Sequence, residues 1–533
     1  MAGFLVGFCL GKVHPDGCQA GLAGGEVLAA RPGITYIPAA FGVVVQTMSE
    51  VFDPLAAKDG QCPYKAPKCG QPAVSALAVL VTVCSAQFMV PLMFTAVGVA
   101  LPTVGRELGA TALQLGLVEQ LYLLPLAMSM LTFGRLGDIL GRRKVFLAGL
   151  VVFTIMTCSL GFAQNVPELI IQRFFQGLGA SMLLSGSMAL VASVFPVHRR
   201  GRMIGIVSAF TYSGLTLGPI LGGFMTSHLG WRYVFWMAVP LGAVASFLCL
   251  TRMRGEWRVA RGETMDWWGG VVLAVGVGLV MLGAGRLGQG LEGAVMMVVG
   301  AVCLGFFLWL ENRLGNPLLE VRVLLSNRYF SLSCLAAMGS YAATLGFTFF
   351  MSLYLQYVKG YSARQAGFIL LLQPLMQVLM SLVSGFISDR IQPGKVANVG
   401  LVVTCSGLLL AAACTSSATA VWLNAVSLVI VGLGVGVFIT PNTTAIMGSV
   451  DFKQYGVASG MIGTMRTMGM VLSMTTVTLV FSLLMSGRAV SPETLPDFLR
   501  SMRLCLLLFA LFSGLGMLSS VGRGRTARRA ARA

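Results

Sequence analysis

The chain has 533 residues, of which 56% belong to the hydrophobic set and 11% are charged, and its formal net charge is +18. Because soluble globular chains carry about 25% charged residues, this composition excludes a soluble enzyme, a disordered protein and a secreted disulfide scaffold. The mean hydropathy of +0.83 requires lipid as the solvent for much of the side-chain surface. The location of the positive charges then decides whether nucleic acid is a partner.

The first 73 residues mix Gly, Pro and Cys with short apolar patches, none of which could cross a bilayer. The basic region that opens a signal peptide is missing before the first apolar run. Cys62 and Cys69 are separated by six residues, which is not a good zinc spacing. Residues 1–73 are therefore predicted to be a disordered extension, or the product of a start codon assigned too early, with Met48 as the alternative start.

Long apolar runs follow one another from residue 74 onward, and about 20 apolar residues suffice for a helix to cross the hydrocarbon core. The runs are continuous, whereas barrel strands alternate and are about 10 residues long, so an all-α polytopic membrane protein is predicted. Fourteen membrane-spanning helices are expected near residues 74–101, 112–134, 144–163, 168–194, 202–226, 232–251, 267–287, 293–311, 330–358, 365–388, 396–415, 420–449, 456–485 and 501–521.

The loops between the predicted helices carry Lys and Arg mainly on one side of the membrane, and that side is normally cytoplasmic. With an internal N-terminus, the cytoplasmic side receives Arg142-Arg143-Lys144, the run from His198 to Arg202 and the basic tail. The sequence thus predicts a multi-pass protein of the cell (inner or cytoplasmic) membrane, with both termini in the cytoplasm. Since the positive charges face anionic lipid in this arrangement, no nucleic-acid partner is expected.

A loop after the second predicted helix recurs in a weaker form after the tenth. The first copy contains Asp138, and the second contains Asp389, 251 residues later. This offset fits two six-helix halves with an inserted helix pair, and such repeats are typical of secondary transporters. The predicted domains are an extension over 1–73, a six-helix bundle over 74–255, an inserted helix pair over 256–315, a second six-helix bundle over 316–522 and a basic cytoplasmic tail over 523–533.

Three segments of the first half resemble the major facilitator superfamily, in particular its fourteen-helix drug:proton antiporters. The loop 134–143 is similar to Gly-x-Leu-x-Asp-x-x-Gly-Arg-Arg/Lys, residues 173–179 to Arg-x-x-Gln-Gly-x-Gly, and residues 214–223 to the antiporter element of helix 5. The segments Asp266-Trp267-Trp268-Gly269 and Pro441-Asn442 also resemble family sequences. The resemblance covers roughly residues 74–521 and implies the major facilitator fold.

The repeated loop is the predicted cytoplasmic gate. A carboxylate there can pair with Arg or with a helix N-terminus of the other half. Such a contact can exist in the outward-open state and break in the inward-open state, and the glycines allow a tight turn. The alternative is a topology anchor whose aspartate is incidental. The predicted gate residues are Gly134, Asp138, Gly141, Arg142, Arg143 and Asp389.

The predicted fifth helix carries Gly214, Gly218 and Gly222 on one face, with Pro219 and Gly223 beside them. Small residues four apart let a neighbouring helix approach closely, and Pro219 removes a backbone donor and permits a bend. A gate that closes against the other half is expected here, with ordinary small-residue packing as the alternative. The resemblance implies that this element accompanies antiport rather than symport.

Three charged residues lie inside predicted helices, where each costs about 2.5–3.5 kcal/mol at the helix centre. Glu119, Arg173 and Arg466 lie roughly 12, 9 and 15 Å deep at 1.5 Å per residue. Glu119 is the predicted proton carrier because it is the only acid well inside a predicted helix. The resemblance implies that Arg173 assists proton transfer. Alternatively, Glu119 lies in the outer vestibule or is a structural partner of Arg173 or Arg466.

The first predicted helix departs from the family pattern Asp-x-Thr-x-x-Asn-x-Ala-Leu-Pro. Met93 stands in place of the Asp, and Gly98 stands in place of the Asn. The departure affects both proton coupling by the usual residue and recognition of cationic drugs, and an apolar, Met-rich cavity suits neutral or anionic lipophilic solutes better. Met93, Gln176 and Asn442 are the predicted residues of the substrate cavity.

These patterns favour a monomeric secondary transporter in the bilayer that exports small lipophilic organic molecules or drugs against proton entry. The alternatives are an exporter of a native metabolite with different coupling and a multi-pass enzyme that modifies lipid. The sequence contains no HExxH motif, Walker A loop or G-x-S-x-G elbow. No cofactor and no metal are therefore expected.

Overall fold

The computed structural model describes residues 76–530 except for 111, 254, 261, 287–290, 316, 320–326, 362, 417–418 and 486–493. The predicted extension of residues 1–73 lies outside the described residues, and so do the last three residues of the predicted tail. The described part of the tail continues the last helix, which ends at Ala530.

Fourteen helices in the described part of the chain are long and apolar enough to cross a membrane, so the predicted number is confirmed. Helices dominate because a backbone surrounded by lipid has to satisfy its hydrogen bonds internally, and the described residues contain no strand. The helices are α1 (Ala76–Leu108), α2 (Ala112–Leu140), α3 (Arg142–Leu160), α4 (Val166–Val194), α5 (Val197–His228), α6 (Arg232–Trp236 and Val239–Thr251), α7 (Trp267–Arg286), α8 (Leu291–Glu311), α9 (Arg328–Leu353, continued by a π-helical turn over Tyr354–Val358), α10 (Ala363–Leu370 and Leu372–Ser388), α11 (Pro393–Ala413), α12 (Val421–Gly448), α13 (Tyr455–Met485) and α14 (Leu495–Ala530).

Side-chain caps determine where two of these helices begin. Asn165 Oδ1 accepts the Glu168 amide at 2.9 Å, and Asn327 Oδ1 accepts the Phe330 amide at 3.0 Å. Each contact satisfies one of the amide donors that the start of a helix leaves unpaired. For this reason α4 and α9 begin two residues before the starts expected from hydropathy alone.

The helices form two bundles with the same internal arrangement. In the first bundle, α1 packs on α5, α2 packs on α4, and α3 packs on α4 and α6. In the second bundle, α9 packs on α13, α10 packs on α12, and α11 packs on α12 and α14. The correspondence is the one expected of an internal repeat whose second copy begins at α9.

The two bundles meet along two seams, one between α2 and α13 and the other between α5 and α10. The inserted pair α7–α8 packs as a hairpin, and α7 contacts both α2 and α13. The hairpin therefore borders the seam between α2 and α13.

Candidate functional site

The seam between α2 and α13 is a crossing of glycines. A Cβ at Gly134 would lie 3.2 Å from the Gly456 carbonyl carbon and 3.6 Å from the Gly460 Cα. A Cβ at Gly460 would lie 2.9 Å from the Met130 carbonyl oxygen. Because the backbones touch, a side chain on any of these glycines would separate the two bundles.

The seam between α5 and α10 repeats this arrangement. A Cβ at Gly201 would lie 2.8 Å from the Gly385 carbonyl oxygen. A Cβ at Gly205 would lie 2.7 Å from the Ser381 carbonyl oxygen and 3.1 Å from the Gly385 Cα. Both seams thus bring backbone against backbone at the same end of the molecule, which we call the basic end because the helices that start there carry Arg142, Arg143 and the run from His198 to Arg202.

Asp138, at the basic end of α2, is fully buried and ion-paired to Arg142 at 2.7 Å. Its carboxylate also faces the amide of Val457 in the first turn of α13, where the positive end of the helix dipole favours an anion. Arg142 in turn donates to the Phe452 carbonyl oxygen at 3.0 Å. The pair therefore joins the first bundle to the start of α13.

Asp389 makes the corresponding contact from the second bundle. Its Oδ1 accepts the Gly201 amide at 2.7 Å, and its Oδ2 accepts the Arg202 amide at 3.0 Å, so it caps the first turn of α5. Partial burial raises the pKa of the Asp389 carboxyl, while these two amides and the Arg202 charge act in the opposite direction. Unlike Asp138, Asp389 forms no ion pair within the described residues.

The turn between α2 and α3 explains two further gate residues. Gly141 has φ +120°, a conformation that L side chains rarely adopt, and a Cβ there would collide with Glu256. The Arg143 amide donates to Glu256 Oε1 at 3.2 Å, and the Arg143 Nη2 donates to the Cys249 carbonyl oxygen at 3.2 Å. Burial raises the pKa of the Glu256 carboxyl, opposed by the Arg143 amide. These contacts tie the turn to the end of α6.

The glycine stripe of α5 faces α1 of its own bundle. A Cβ at Gly218 would lie 3.1 Å from the Leu92 carbonyl oxygen, and one at Gly222 would lie 2.8 Å from the Ala96 Cα. The expectation that this stripe closes against the other half therefore differs from the structure, because Gly201 and Gly205 of the same helix make that contact. Gly214 packs on α1 in the same way, Gly223 has space around it, and Pro219 is exposed.

The change of partner along α5 and α13 identifies the closed end. From Gly201 to Gly205, α5 touches α10, whereas from Gly214 to Gly222 it touches α1. Likewise α13 touches α2 from Gly456 to Gly463 and reaches α9 at Gly469. The backbone contacts between the bundles at these glycines are thus confined to the basic end.

We expect Gly205→Ala to lower transport about 10-fold or more, because overpacking a close contact costs about 1–3 kcal/mol. A Cys introduced by Ser384→Cys, at a buried position on α10, should react faster with a maleimide when Gly205→Ala is present than when Gly205 is retained. Gly223→Ala is the matched control on the same helix, since its Cβ would lie 3.7 Å from Val99 Cγ1. Equal transport by the two variants would contradict the importance of this seam.

Glu119 lies about two turns into α2. It lies beside the part of α1 in which Met93 and Gly98 depart from the family pattern. A Cβ at Gly98 would lie 3.1 Å from Glu119 Oε1, so the missing side chain leaves room for the carboxylate. Other acidic side chains of the described helices lie in a first or last turn. The half-buried carboxylate is attracted by the charge of Arg173, and no ion pair joins the two within the described residues.

Arg173 is 1% exposed and belongs to a polar chain inside the first bundle. Its Nη1 donates to Gln176 Oε1 at 2.7 Å, and Gln176 Nε2 donates to Thr157 Oγ1 at 2.7 Å. The guanidinium also lies over the Tyr122 and Phe235 rings, at 5.0 and 5.4 Å from their centroids. These contacts hold a fixed positive charge near Glu119.

Arg466 lies in the middle of α13 and interacts with tyrosines of three other helices. It is within hydrogen-bonding range of the Tyr341 hydroxyl on α9, and its charge acts on Tyr212 of α5 and Tyr122 of α2. Both bundles therefore contribute to the surroundings of this cation. Within the described residues, no carboxylate forms an ion pair with it.

The three predicted cavity residues are all buried. Met93 and Gln176 are 0% exposed and Asn442 is 2% exposed, and Asn442 Nδ2 donates to the Ser333 carbonyl oxygen at 3.0 Å. They thus lie within the packed bundles in this conformation, and their place in a substrate cavity stays a prediction.

Sequence reasoning missed the tyrosines around Arg466 and the seam glycines. The tyrosines leave no local signal, because helices distant in sequence bring them together. The glycines do leave a signal in the sequence. Gly201 and Gly205 are four residues apart, as are Gly456 and Gly460, and the second pair follows the first by 255 residues.

Fourteen spanning helices arranged as two repeated bundles with an inserted pair define a multi-pass membrane transporter. A family model described as the Major Facilitator Superfamily matches residues 83–474. The chain belongs to this superfamily. It resembles the fourteen-helix drug:proton antiporter type, and it is a transporter and not an enzyme, which removes the lipid-modifying alternative.

Two relatives transport or export different compounds. The chain is 28% identical over 398 residues to the riboflavin transporter RibZ of Clostridioides difficile (strain 630), covering 74% of this chain and 86% of the relative. It is 29% identical over 441 residues to the tetracenomycin C resistance and export protein of Streptomyces glaucescens, covering 80% and 78%. The solved structure of the human organic anion transporter MFSD10 matches with a TM-score of 0.61 and 16% identity, covering 85% and 99%, which concerns the fold alone.

Proposed function

We propose that the chain exports small lipophilic organic compounds, including drugs, in exchange for protons. The observation that carries the coupling is the position of Glu119 beside Gly98. Where the family pattern has an acid on the first helix, this chain has Met93. Glu119 on α2 instead brings a carboxylate to the same helix at Gly98, five residues further along. Glu119 would bind and release the proton, and Arg173 would favour its release when the two approach.

In this proposal the basic end is the cytoplasmic gate. The structure then corresponds to a state that is closed toward the cytoplasm, because Asp138 and Asp389 hold the starts of α13 and α5 across the seams. Opening toward the cytoplasm would require both carboxylates to leave these helix starts. Both termini would lie in the cytoplasm and the protein would act as a monomer in the cell membrane, with the bundles over 74–255 and 316–522 moving about the site between them.

Export of a native metabolite is the second candidate, and the similarity to a riboflavin transporter favours it. The distinction concerns the substrate rather than the gate. It can be tested in a bacterial host without its main efflux pumps, by measuring the accumulation of a panel of neutral, anionic and cationic lipophilic compounds together with riboflavin. We expect cells that contain the protein to accumulate less of some lipophilic compounds than cells without it. A protonophore should restore the accumulation of these compounds. Unchanged accumulation of every compound, with the protein verified in the membrane, would contradict export.

We expect Arg466 to determine whether the transporter prefers anionic or neutral substrates. Arg466→Gln removes a cation that both bundles surround with tyrosines, so transport of anionic compounds should fall about 10-fold, equivalent to about 1.4 kcal/mol, while neutral compounds are affected less. Arg286→Gln, at the exposed end of α7, is the control. An equal fall for both classes of compound would show that Arg466 is structural.

A further inference from the structure

The inserted hairpin closes at its base with two carboxyl groups that face each other. Asp266 immediately precedes α7, and Glu311 is the last residue of α8. Glu311 is 1% exposed, and the two side chains approach within hydrogen-bonding distance. A Cβ at Gly269 would collide with Asp266 Oδ2 and with Glu311 Oε1, so these two oxygens lie on the same side of the first turn of α7.

Each carboxyl group uses its other oxygen for the backbone. Asp266 Oδ1 accepts the Gly269 amide at 2.9 Å, and Glu311 Oε2 accepts the Leu319 amide at 3.1 Å. The facing oxygens, Asp266 Oδ2 and Glu311 Oε1, are buried and have no donor from another described residue. An ionised carboxylate can only accept hydrogen bonds. Two such groups cannot bond to each other unless one of them carries a proton.

Charged groups nearby do not neutralise the pair. From α2, Arg135 is ion-paired to Glu263, and Asp138 is paired to Arg142. Arg313, just after α8, lies 4.3 Å from the centroid of the Trp309 ring. The start of α9 contributes the exposed Arg328, and the start of α13 contributes Tyr455, whose hydroxyl accepts a hydrogen bond from Arg200. None of these cations forms an ion pair with Asp266 or Glu311 within the described residues.

We propose that Asp266 and Glu311 form a proton-binding site in which one proton is shared between Asp266 Oδ2 and Glu311 Oε1. The shared proton joins the start of α7 to the end of α8. Because Glu311 also accepts the Leu319 amide, this connection extends to the segment that leads into the second bundle. Loss of the proton leaves two facing negative charges, which repel each other. The base of the hairpin then loosens as the pH rises, beside the seam that α7 shares with α2 and α13. This site is separate from Glu119 and operates whether or not Glu119 carries the coupled proton.

Infrared spectroscopy of the full chain in lipid nanodiscs tests the shared proton. We expect a C=O stretch of a protonated carboxyl group at neutral pH that disappears on alkalinisation, is lost in both Asp266→Asn and Glu311→Gln, and persists in Glu292→Gln, an exposed site at the other end of α8. Glu119→Gln is included to subtract any signal from that residue. A spectrum in which both hairpin variants keep the full signal of the wild type would overturn the proposal.

Thermal unfolding of the same samples gives an independent readout. Glu311→Gln supplies an amide donor in place of the proton, so the variant should fold and lose the fall in melting temperature that the wild type shows at alkaline pH. Two results would overturn the proposal. One is an equal fall in both proteins, and the other is a wild-type melting temperature that rises with sodium or potassium at alkaline pH but not in Glu311→Gln, since a cation would then occupy the site.

Discussion

Asp138→Asn is expected to lower transport by at least about 100-fold, because breaking a buried ion pair costs about 3–5 kcal/mol. Arg142 is 1% exposed and keeps its contact with the Phe452 carbonyl oxygen, but its charge would be left without the carboxylate. The start of α13 would also lose the anion that faces the Val457 amide. The closed basic end would become a minor state, which initial-rate transport assays in proteoliposomes would measure.

Two variants calibrate this result. Asp389→Asn removes the charge from a helix cap rather than from an ion pair, so its effect should be smaller, as for a cap worth about 1 kcal/mol. Asp451→Asn alters an exposed carboxylate at the same end and should transport at the wild-type rate. Equal rates for Asp138→Asn and Asp451→Asn would contradict the role given to the buried pair.

Glu119→Gln is expected to reduce transport driven by a pH gradient to the level of empty liposomes. Glutamine preserves the size and the polar contacts of the side chain but cannot bind and release a proton. Exchange of labelled for unlabelled substrate across the membrane should persist, because exchange requires no net proton movement. Both measurements use the same proteoliposomes, with and without an imposed gradient.

The two assays together separate a lost proton carrier from a misfolded protein. Glu292→Gln, an exposed acid at the start of α8, should retain both activities. Loss of exchange as well as pH-driven transport in Glu119→Gln would indicate a structural role, as a partner of Arg173. Unchanged pH-driven transport would remove Glu119 as the carrier.

The number of the spanning helices could be predicted from hydropathy, because a helix in lipid needs a long apolar run and little else. The limits could be predicted less well: Asn165 and Asn327 extend α4 and α9 by capping, and α5 and α14 begin at Val197 and Leu495, five and six residues before their expected starts. The repeated loop likewise identified Asp138 and Asp389 as a related pair. Their partners, the first turns of α13 and α5, depend on how the two bundles dock and could not be assigned from the loop alone.

The sequence also predicted close packing along the glycine stripe of α5 correctly, but the predicted contact partner was wrong. The stripe from Gly214 to Gly222 signals close helix packing, but the signal does not say which helix approaches, and the structure has α1 there. The significance of Gly98 was missed for a related reason. Its effect depends on the space it leaves for Glu119, which is a property of two helices together. The Asp266–Glu311 pair depends in the same way on the closure of the α7–α8 hairpin.

Simultaneous recording of substrate flux and internal pH in proteoliposomes tests the central claim of proton-coupled export most directly. Wild-type protein given an outward substrate gradient and no initial pH gradient should move protons inward as substrate leaves. The same proton flux should be absent with Glu119→Gln. Substrate efflux without proton movement, or with protons leaving in the same direction, would contradict antiport.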